Sequence, residues 1–327
     1  MRVSIVVPVY QGAPTLPECL RALRAAAAPE DELIVVDDAS TDGGATIAAA
    51  AGATVVRLSS NHGPARARNV GAAAAHGDVL LFVDADVALA PDAVARVRRA
   101  LALHPEIAAV FGSYDDRPRA PGLVSQYRNL LHHFVHQHGA ADAFSFWAGC
   151  GAVRREPFER VGGFDGCWRA IEDIELGYRL RAAGFRILLD HDLQGSHLKR
   201  WTLRSMLWTD LTQRAAPWAR LALEHRAAPR DLNLGTAQRV SLVLVFAALG
   251  ALAVAPWRPV LAVAALGALV AVVVLNREFY RFLARVRGPA FALASVPLHF
   301  LYFICGGLGV AHAGTAFALA RLRRSAP

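Results

Sequence analysis

The sequence predicts an α/β fold, a mostly parallel sheet with helices on both faces, followed by membrane-spanning helices. Three observations predict it. From residue 1 to about residue 112, short apolar runs alternate with helical patterns, the order of a parallel sheet wrapped by helices. Two of those runs end on paired acids, Asp37-Asp38 and Asp84-Ala-Asp86, where sheets of this kind collect their functional groups. Beyond Arg239, charge disappears from three long stretches.

The elements follow in order. Residues 3–9 (VSIVVPV) read as a buried strand, and Leu16, Leu20 and Leu23 share one face of a helix over 15–28. LIVVDD, 33–38, is a second strand; 43–51 is a helix and 53–58 a third strand. Asn61-His-Gly-Pro leads an Ala-rich helix to His76, and 79–86 (VLLFVDAD) is again a strand. Pro91 opens a helix running to His104, before a strand at 107–112. Residues 113–140, rich in Arg and His, are less regular and are expected to line a cleft. FSFWAGCGAV, 144–153, returns to strand and tight loop. Residues 172–183 form a helix stopped by Gly184, and 185–190 a strand, with His197 seven residues beyond in a loop.

Trp201, Leu203, Met206, Leu207, Trp208, Leu211, Trp218 and Leu221 recur among arginines in 198–226. This pattern suits a helix lying at a membrane surface, or one packed on the domain. Residues 240–257 and 259–276 carry no charge and meet at Pro256-Trp-Arg-Pro259, which predicts a hairpin of two spans. The third uncharged run, 288–320, is long for one span and short for two. Arginines flank it at 277, 281, 285 and 287 and at 321, 323 and 324. Positive-inside reasoning puts both flanks in the cytoplasm and favours a re-entrant or tight hairpin over a single tilted span. The expected organisation is an α/β domain over 1–200, an amphipathic interfacial segment over 201–236 and a transmembrane region over 237–327.

Composition agrees. Apolar residues make up 54% of the 327 and charged residues 19%, which excludes a mostly disordered chain. The net charge is +8, and residues 237–327 hold nine Arg against the single acid Glu278. Residues 1–236 are left with 26 basic and 26 acidic residues. The basic surplus therefore points to a membrane and anionic lipid, and not to nucleic acid. Cys19, Cys150, Cys167 and Cys305 form no CxxC; they are expected to be reduced, buried small residues. No signal-peptide pattern precedes the first strand, which predicts a cytoplasmic N-terminal domain. Neither Gly-x-Gly-x-x-Gly nor a Walker A sequence follows it, so dinucleotide and P-loop sites are disfavoured.

Carboxylates at Asp84 and Asp86 repel unless a cation neutralises them. They are either turn acids or a site for Mg²⁺ or Mn²⁺ completed by a diphosphate. Asp37-Asp38 end a neighbouring strand and offer acceptors to a base N–H, or make a turn with Ser40 and Asp42. Arg66 and Arg68 can offset the acids or contact phosphate. Glu172-Asp173 open a helix, as capping acids or with Asp173 as general base. His197 is a candidate metal or phosphate contact.

Taken together, Val-Ser-Ile-Val-Val-Pro-Val-Tyr10, Val-Val-Asp-Asp-Ala-Ser-Thr-Asp42, Asn-His-Gly-Pro-Ala-Arg-Ala-Arg-Asn69, Phe-Val-Asp-Ala-Asp86, Gly-Gly-Phe-Asp165 and Glu172-Asp173 resemble the inverting family 2 glycosyltransferases of the GT-A fold, membrane-anchored and bacterial in type. The resemblance spans about residues 1–200. It implies that Pro8 and Tyr10 wall the nucleotide pocket, that Asp38 reads the base beside Asp37, and that Arg66 lies near the diphosphate. It further implies Asp84 on the ribose side, Asp86 and His197 on the metal, and Asp173 with Glu172 as the catalytic pair. Trp147, Gly149 and Cys150 match the donor-sugar and acceptor region, and Lys199 and Arg200 the nucleotide side. Leu198-Lys-Arg-Trp201 lacks the Gln of the processive Gln-x-x-Arg-Trp motif, against polymer synthesis.

The implied reaction is metal-dependent (Mn²⁺ or Mg²⁺) transfer from a nucleotide-sugar, UDP before GDP, to a hydroxyl of a membrane lipid or lipid-linked acceptor. The implied location is the inner membrane, multi-pass, with the catalytic domain in the cytoplasm. Alternatives are a polyprenyl-phosphate sugar transferase, whose ionised acceptor needs no base, and a non-catalytic nucleotide-sugar-binding scaffold. A metal-dependent nucleotidyltransferase lacks the Gly-rich loop it would want here.

Overall fold

A computed structural model describes residues 1–225, 232 and 235–325, the side chains of 321–325 excepted. The ends of the 198–226 and 201–236 segments and the flank Arg321, Arg323 and Arg324 therefore fall partly outside the described residues. Two compact units are formed: residues 1–121 with 135–200, and residues 122–134 with 201–327.

The first unit runs β1 (Val3–Val9), α1 (Leu16–Ala26), β2 (Glu32–Asp37), α2 (Gly44–Ala50), β3 (Thr54–Arg57), α3 (Pro64–Ala74) and β4 (Val79–Val83). It continues through β5 (Val87–Leu89), α4 (Ala93–Leu103) and β6 (Ile107–Tyr114). Helix α5 (Leu123–Gln137) gives its residues 123–134 to the second unit. Then come β7 (Asp142–Ala143), β8 (Cys150–Arg154), α6 (Arg155–Arg160), α7 (Glu172–Ala182) and β9 (Arg186–His197). One sheet results, in the order β3-β2-β1-β4-β8-β6-β9-β5, with β7 on β9. Strands β3, β2, β1 and β4 are parallel. The rest is mixed, because β8 runs antiparallel to both β4 and β6 while β6 and β9 are parallel. A mixed sheet flanked by helices is the GT-A-like arrangement.

The central strands β1 and β4 are apolar on both faces, and Val3, Ile5, Val7, Leu81 and Val83 are buried. Each contributes about 1.5–3 kcal/mol by leaving water. Pro8 is tolerated inside β1 for a geometric reason. The Val9 carbonyl accepts from Asp38 on the β2 side, so the position of Pro8 faces the β4 side. Pairing with β4 has already ended at Val6, and the missing N–H breaks no ladder bond.

Three expectations change in this unit. Residues 123–137 are a regular helix, although Arg and His interrupt its apolar period; within the second unit Arg128 finds Asp210 at 2.5 Å and the His133 ring stacks on Phe282. His197 is the last residue of β9 and not a loop residue, because 194–197 pair with β6 and β5. Cys167 is exposed while Cys19, Cys150 and Cys305 are buried; its backbone N–H is held by Asp165 in a surface turn, 2.9 Å away.

The second unit contains α8 (Leu203–Trp208), a π-helical stretch (Thr209–Ala215), α9 (Ala216–Glu224), α10 (Thr236–Val254), α11 (Val260–Leu275), α12 (Arg277–Arg287) and α13 (Pro289–Ser325). By length and composition, α10 and residues 289–320 of α13 can each cross a membrane. The pair α11–α12 bends by 63° at Asn276, so it is one broken span or a re-entrant element. The Asn276 side chain is buried there and donates to Ser241 Oγ of α10 at 2.8 Å and to the Val272 carbonyl at 2.8 Å.

The hairpin expected within 288–320 is overturned: α13 is one helix, with Pro297 inside it. Gly306-Gly307-Leu308-Gly309 does not turn the chain. A Cβ on Gly307 would lie 2.1 Å from Phe246, and one on Gly309 2.4 Å from Ala215. These glycines let helices approach closely, as small residues do in membrane bundles.

Candidate active site

The site gathers beyond the C-terminal ends of β1, β2 and β4. After β2, Asp37 and Asp38 are both buried. Asp37 accepts the Ser40 N–H at 2.9 Å and faces Arg57 at 3.6 Å. Asp38 accepts the His62 N–H on one carboxylate oxygen at 2.9 Å and the Gly63 N–H on the other at 2.8 Å. Its charge thereby fixes the loop that leads into α3. Pro8 is half-buried and Tyr10 is 55% exposed, presenting its ring beside these strand ends.

Helix α3 buries Ala65, Ala67, Arg68, Gly71 and Ala72, and leaves Arg66 exposed. The helical period alone assigns this: Ala65, Arg68 and Ala72 share a face that Arg66 does not. Arg68 is thus the arginine held among the acids, while Arg66 faces solvent. One guanidinium nitrogen donates to Asp84 at 2.7 Å and another to Glu172, while the group lies over the Phe164 ring at 5.4 Å. The two carboxylates outweigh the cost of burial and keep Arg68 charged. Its neighbour Asn69 makes two bonds to Phe164, to the carbonyl at 2.7 Å and from the N–H at 2.9 Å. Through these two residues α3 holds the Gly-Gly-Phe-Asp loop and the start of α7. Ile171, just before α7, has φ of 59°, a costly conformation for a β-branched residue at the point where Glu172 and Asp173 are aimed.

Asp173 is half-buried. One of its oxygens accepts the Ala148 N–H at 3.0 Å and the other its neighbour Ile174 N–H at 2.8 Å. Burial, then the adjacent Glu172, push its carboxyl up to about 6, against the pull of Arg68. Trp147 precedes this anchoring segment, and Gly149 accepts the Asp84 N–H at 3.3 Å. Asp84, Arg68, Glu172, Asp173 and the 147–149 loop are therefore one bonded cluster.

Asp86 and His197 form a second pair. The His197 Nε2 lies 3.4 Å from an Asp86 carboxylate oxygen, and the Asp86 carbonyl accepts the Leu198 N–H at 2.8 Å. Burial alone would raise the Asp86 carboxyl; His197 and Lys199 outweigh it and hold it below the usual range. The His197 ring stacks on Tyr114 at 4.3 Å, and Tyr114 meets Trp147 edge-on at 4.9 Å. Lys199 and Arg200 are exposed immediately afterwards. One carboxylate and one imidazole at this spacing suit a divalent cation whose shell a ligand completes. Among the described residues no group of three or more His, Cys, Asp or Glu stands ready to hold a metal alone. Asn69 and Tyr114 are the residues beside these groups to which the sequence reading gives no role, while Arg68 is named there beside Arg66.

Residues 4–162 match the model of glycosyl transferase family 2. An uncharacterized glycosyltransferase of Haemophilus influenzae is 28% identical over 189 residues, 54% of this chain and 61% of that one. The chain thus matches less than two thirds of that relative's length. Among solved structures, the mannosyltransferase PcManGT from Pyrobaculum calidifontis, in complex with GDP-Man and Mn²⁺, superposes with a TM-score of 0.61 at 22% identity. It covers 94% of this chain and 86% of that one. Staphylococcus aureus TarS 1–349 with UDP-GlcNAc gives 0.53 at 17% identity, covering 98% and 92%. Both share the fold with this chain.

Proposed function

We propose that this chain, whose residues 4–162 form a domain of the glycosyl transferase family 2 type, moves a sugar from a nucleotide-sugar to a hydroxyl of a membrane lipid or lipid-linked acceptor, with inversion. One observation carries the reading. Arg68 joins Asp84, on the strand end that also bears Asp86, to Glu172, which opens the helix bearing Asp173. In this reading, Arg68 ties the strand end proposed for the donor to the helix start proposed for the acceptor.

Asp173 takes the proton of the acceptor hydroxyl. The acceptor oxygen, so deprotonated, forms a bond to the anomeric carbon as that carbon's bond to the diphosphate oxygen breaks. The nucleoside diphosphate leaves with the electron pair, and a single displacement inverts the configuration. A carboxyl lifted to about 6 suits a base at neutral pH. The Ala148 N–H orients it. Asp86 and His197 would hold Mn²⁺ or Mg²⁺, which when bound draws charge from the leaving diphosphate. Lys199 and Arg200 offer further cationic groups to it. The GDP-Man and UDP-GlcNAc carried by the two structural neighbours support a nucleotide-sugar donor, and the resemblance of the sequence motifs favours UDP. The apolar helices α10 and α13 support a lipid acceptor, and the arginines at 277, 281, 285 and 287, before α13, support the inner membrane with this domain on its cytoplasmic side.

The test supplies native membranes holding the full chain with nucleotide-sugars and Mg²⁺ or Mn²⁺, and reads lipid products by mass spectrometry. The expected result is a glycosylated lipid that disappears in Asp86→Ala and Asp173→Asn. Product formation that survives Asp173→Asn would replace the hydroxyl acceptor with an ionised phosphate. Nucleotide-sugar binding with no product from any donor would replace the enzyme with a binding scaffold.

A further inference from the structure

Two non-glycine residues in the loops after β1 and β2 have left-handed backbone. Each directly follows a residue that the family resemblance sets at the nucleotide. Gln11, with φ of 51°, follows Tyr10, and Ala39, with φ of 63°, follows Asp38. Side chains larger than glycine's adopt this region at a cost, and such outliers collect where a binding site fixes the backbone. Gln11 is exposed, as is its partner Thr41, so core packing does not impose the conformation.

The Gln11 side chain clasps the neighbouring loop. Its Oε1 accepts the Thr41 N–H at 3.1 Å, and its Nε2 donates to the Thr41 hydroxyl at 3.0 Å. Its backbone N–H donates to Ser40 Oγ at 3.1 Å. Three bonds thus join the loop that carries Tyr10 to the loop that carries Asp38. The amide can face only this way, because reversed it would set N–H against N–H.

The fold is already tied here without Gln11. The Asp38 N–H on the Val9 carbonyl, at 2.9 Å, continues the pairing of β1 with β2 up to the loops. Asp42 then fastens the loops a second time: one oxygen accepts the Ala13 N–H at 2.8 Å and the other the Gly44 N–H at 3.0 Å. A strained, exposed residue that repeats an existing tie has its reason in what the two loops carry.

We infer that Gln11 is a positioning residue for the nucleoside part of the donor. Its amide, locked on Thr41, holds the Tyr10 backbone and the Asp38 loop in their binding arrangement before the nucleotide arrives. Ordering done in folding is not charged against binding, so the clamp raises affinity without touching the reacting atoms. The inference rests on the nucleotide-sugar reading above.

The experiment uses the full chain in phosphatidylcholine nanodiscs with Mg²⁺. Calorimetry reads the binding of UDP, GDP and inorganic pyrophosphate, and a thermal melt reads stability. Gln11→Gly removes clamp and strain together, so the melting temperature should stay within about 2 °C of the parent's. Affinity for the nucleotide that the parent binds should fall about tenfold. Thr41→Val keeps the β-branched shape and loses the hydroxyl; affinity should fall about threefold, and Thr41→Ser should restore it. The double variant should bind like Gln11→Gly alone, because one clamp cannot be lost twice. Pyrophosphate affinity should hold throughout, since the clamp serves the nucleoside side.

Nucleotide affinity equal to the parent's in Gln11→Gly would overturn the inference. Losses that add in full in the double variant would make Gln11 a direct ligand contact and overturn the clamp. Pyrophosphate binding weakened as much as nucleotide binding would mark a general disturbance of the domain and overturn it as well. A parent that binds neither nucleotide would sink the nucleotide-sugar reading, and this inference with it; a parent that binds while Gln11→Gly binds equally sinks the inference alone.

Discussion

Arg68 donates to Asp84 at 2.7 Å from inside the protein, its guanidinium side chain 5% exposed and that of Asp84 34% exposed. The asymmetry matters. Asp84 can still meet solvent or a ligand, whereas Arg68 and its second partner Glu172 cannot. Truncating the cation therefore strands a buried carboxylate, which costs about 3–5 kcal/mol. Arg68→Ala should lower the melting temperature of the purified protein by about 10 °C. Arg68→Lys, with the charge but without the fork, should fall between the two. Equal melting of Arg68→Ala and the parent would mean that the pair adds nothing to the fold.

Asp173 gives the activity a defined pH limb. Its carboxyl, ordinarily near 3.8, is pushed up to about 6 by burial and by Glu172. A base acts only when ionised, so turnover should fall about tenfold per pH unit below 6 and level off above. Arg68 opposes the shift, so Arg68→Lys with a displaced charge should move this limb to higher pH. The stability linkage has the opposite sense. The folded state holds this proton up to about pH 6 while the unfolded chain releases it near 3.8. The stabilisation it contributes is thus fully present below 3.8 and is lost as pH rises through 6. Melting curves of Asp173→Asn between pH 5 and 7 should lack the corresponding part of the pH dependence; a turnover profile flat from pH 5 to 8 would remove Asp173 as the base.

Asp38 has a structural duty as well as its proposed nucleotide contact. Both of its oxygens hold backbone N–H groups, of His62 and Gly63. Asp38→Ala should therefore expose those two amides to fast hydrogen exchange and cost about 1–3 kcal/mol. Donor affinity should drop along with it, because the same loop leads into the helix that carries Arg68. Protection of His62 and Gly63 retained in the variant would confine Asp38 to ligand binding.

How far this was legible depended on whether a residue's role is local. The strands of β1, β2 and β4 announce themselves because both faces are apolar, and their terminal acids follow by position. Arg68 was present in the motif, but choosing it over Arg66 needs the buried face of α3, which the period Ala65–Arg68–Ala72 supplies. Helix α5 was hidden because Arg128 and His133 are paid for by distant partners, Asp210 and Phe282. The end of β9 was hidden similarly: HDLQGSH looks like loop until β5 and β6 pair with it. The glycines of α13 mislead in the other direction, since close packing and chain turning use the same residue type.

His197 is the last of these nonlocal placements and the most direct to test. Its imidazole stacks on Tyr114 and faces Asp86 at 3.4 Å, so the ring's direction is set by packing. If the pair holds the cation with a nucleoside diphosphate, both variants His197→Gln and Asp86→Asn should weaken Mn²⁺ binding, read by electron paramagnetic resonance with UDP present. Tyr114→Ala leaves both proposed ligands in place and removes the ring that supports His197, and loss of such support costs about 10–100-fold in metal affinity. Tyr114→Phe keeps the ring and should restore binding. Mn²⁺ affinity equal to the parent's in His197→Gln would leave Asp86 to bind the cation without the imidazole, and the stacked ring would then serve the sheet edge alone.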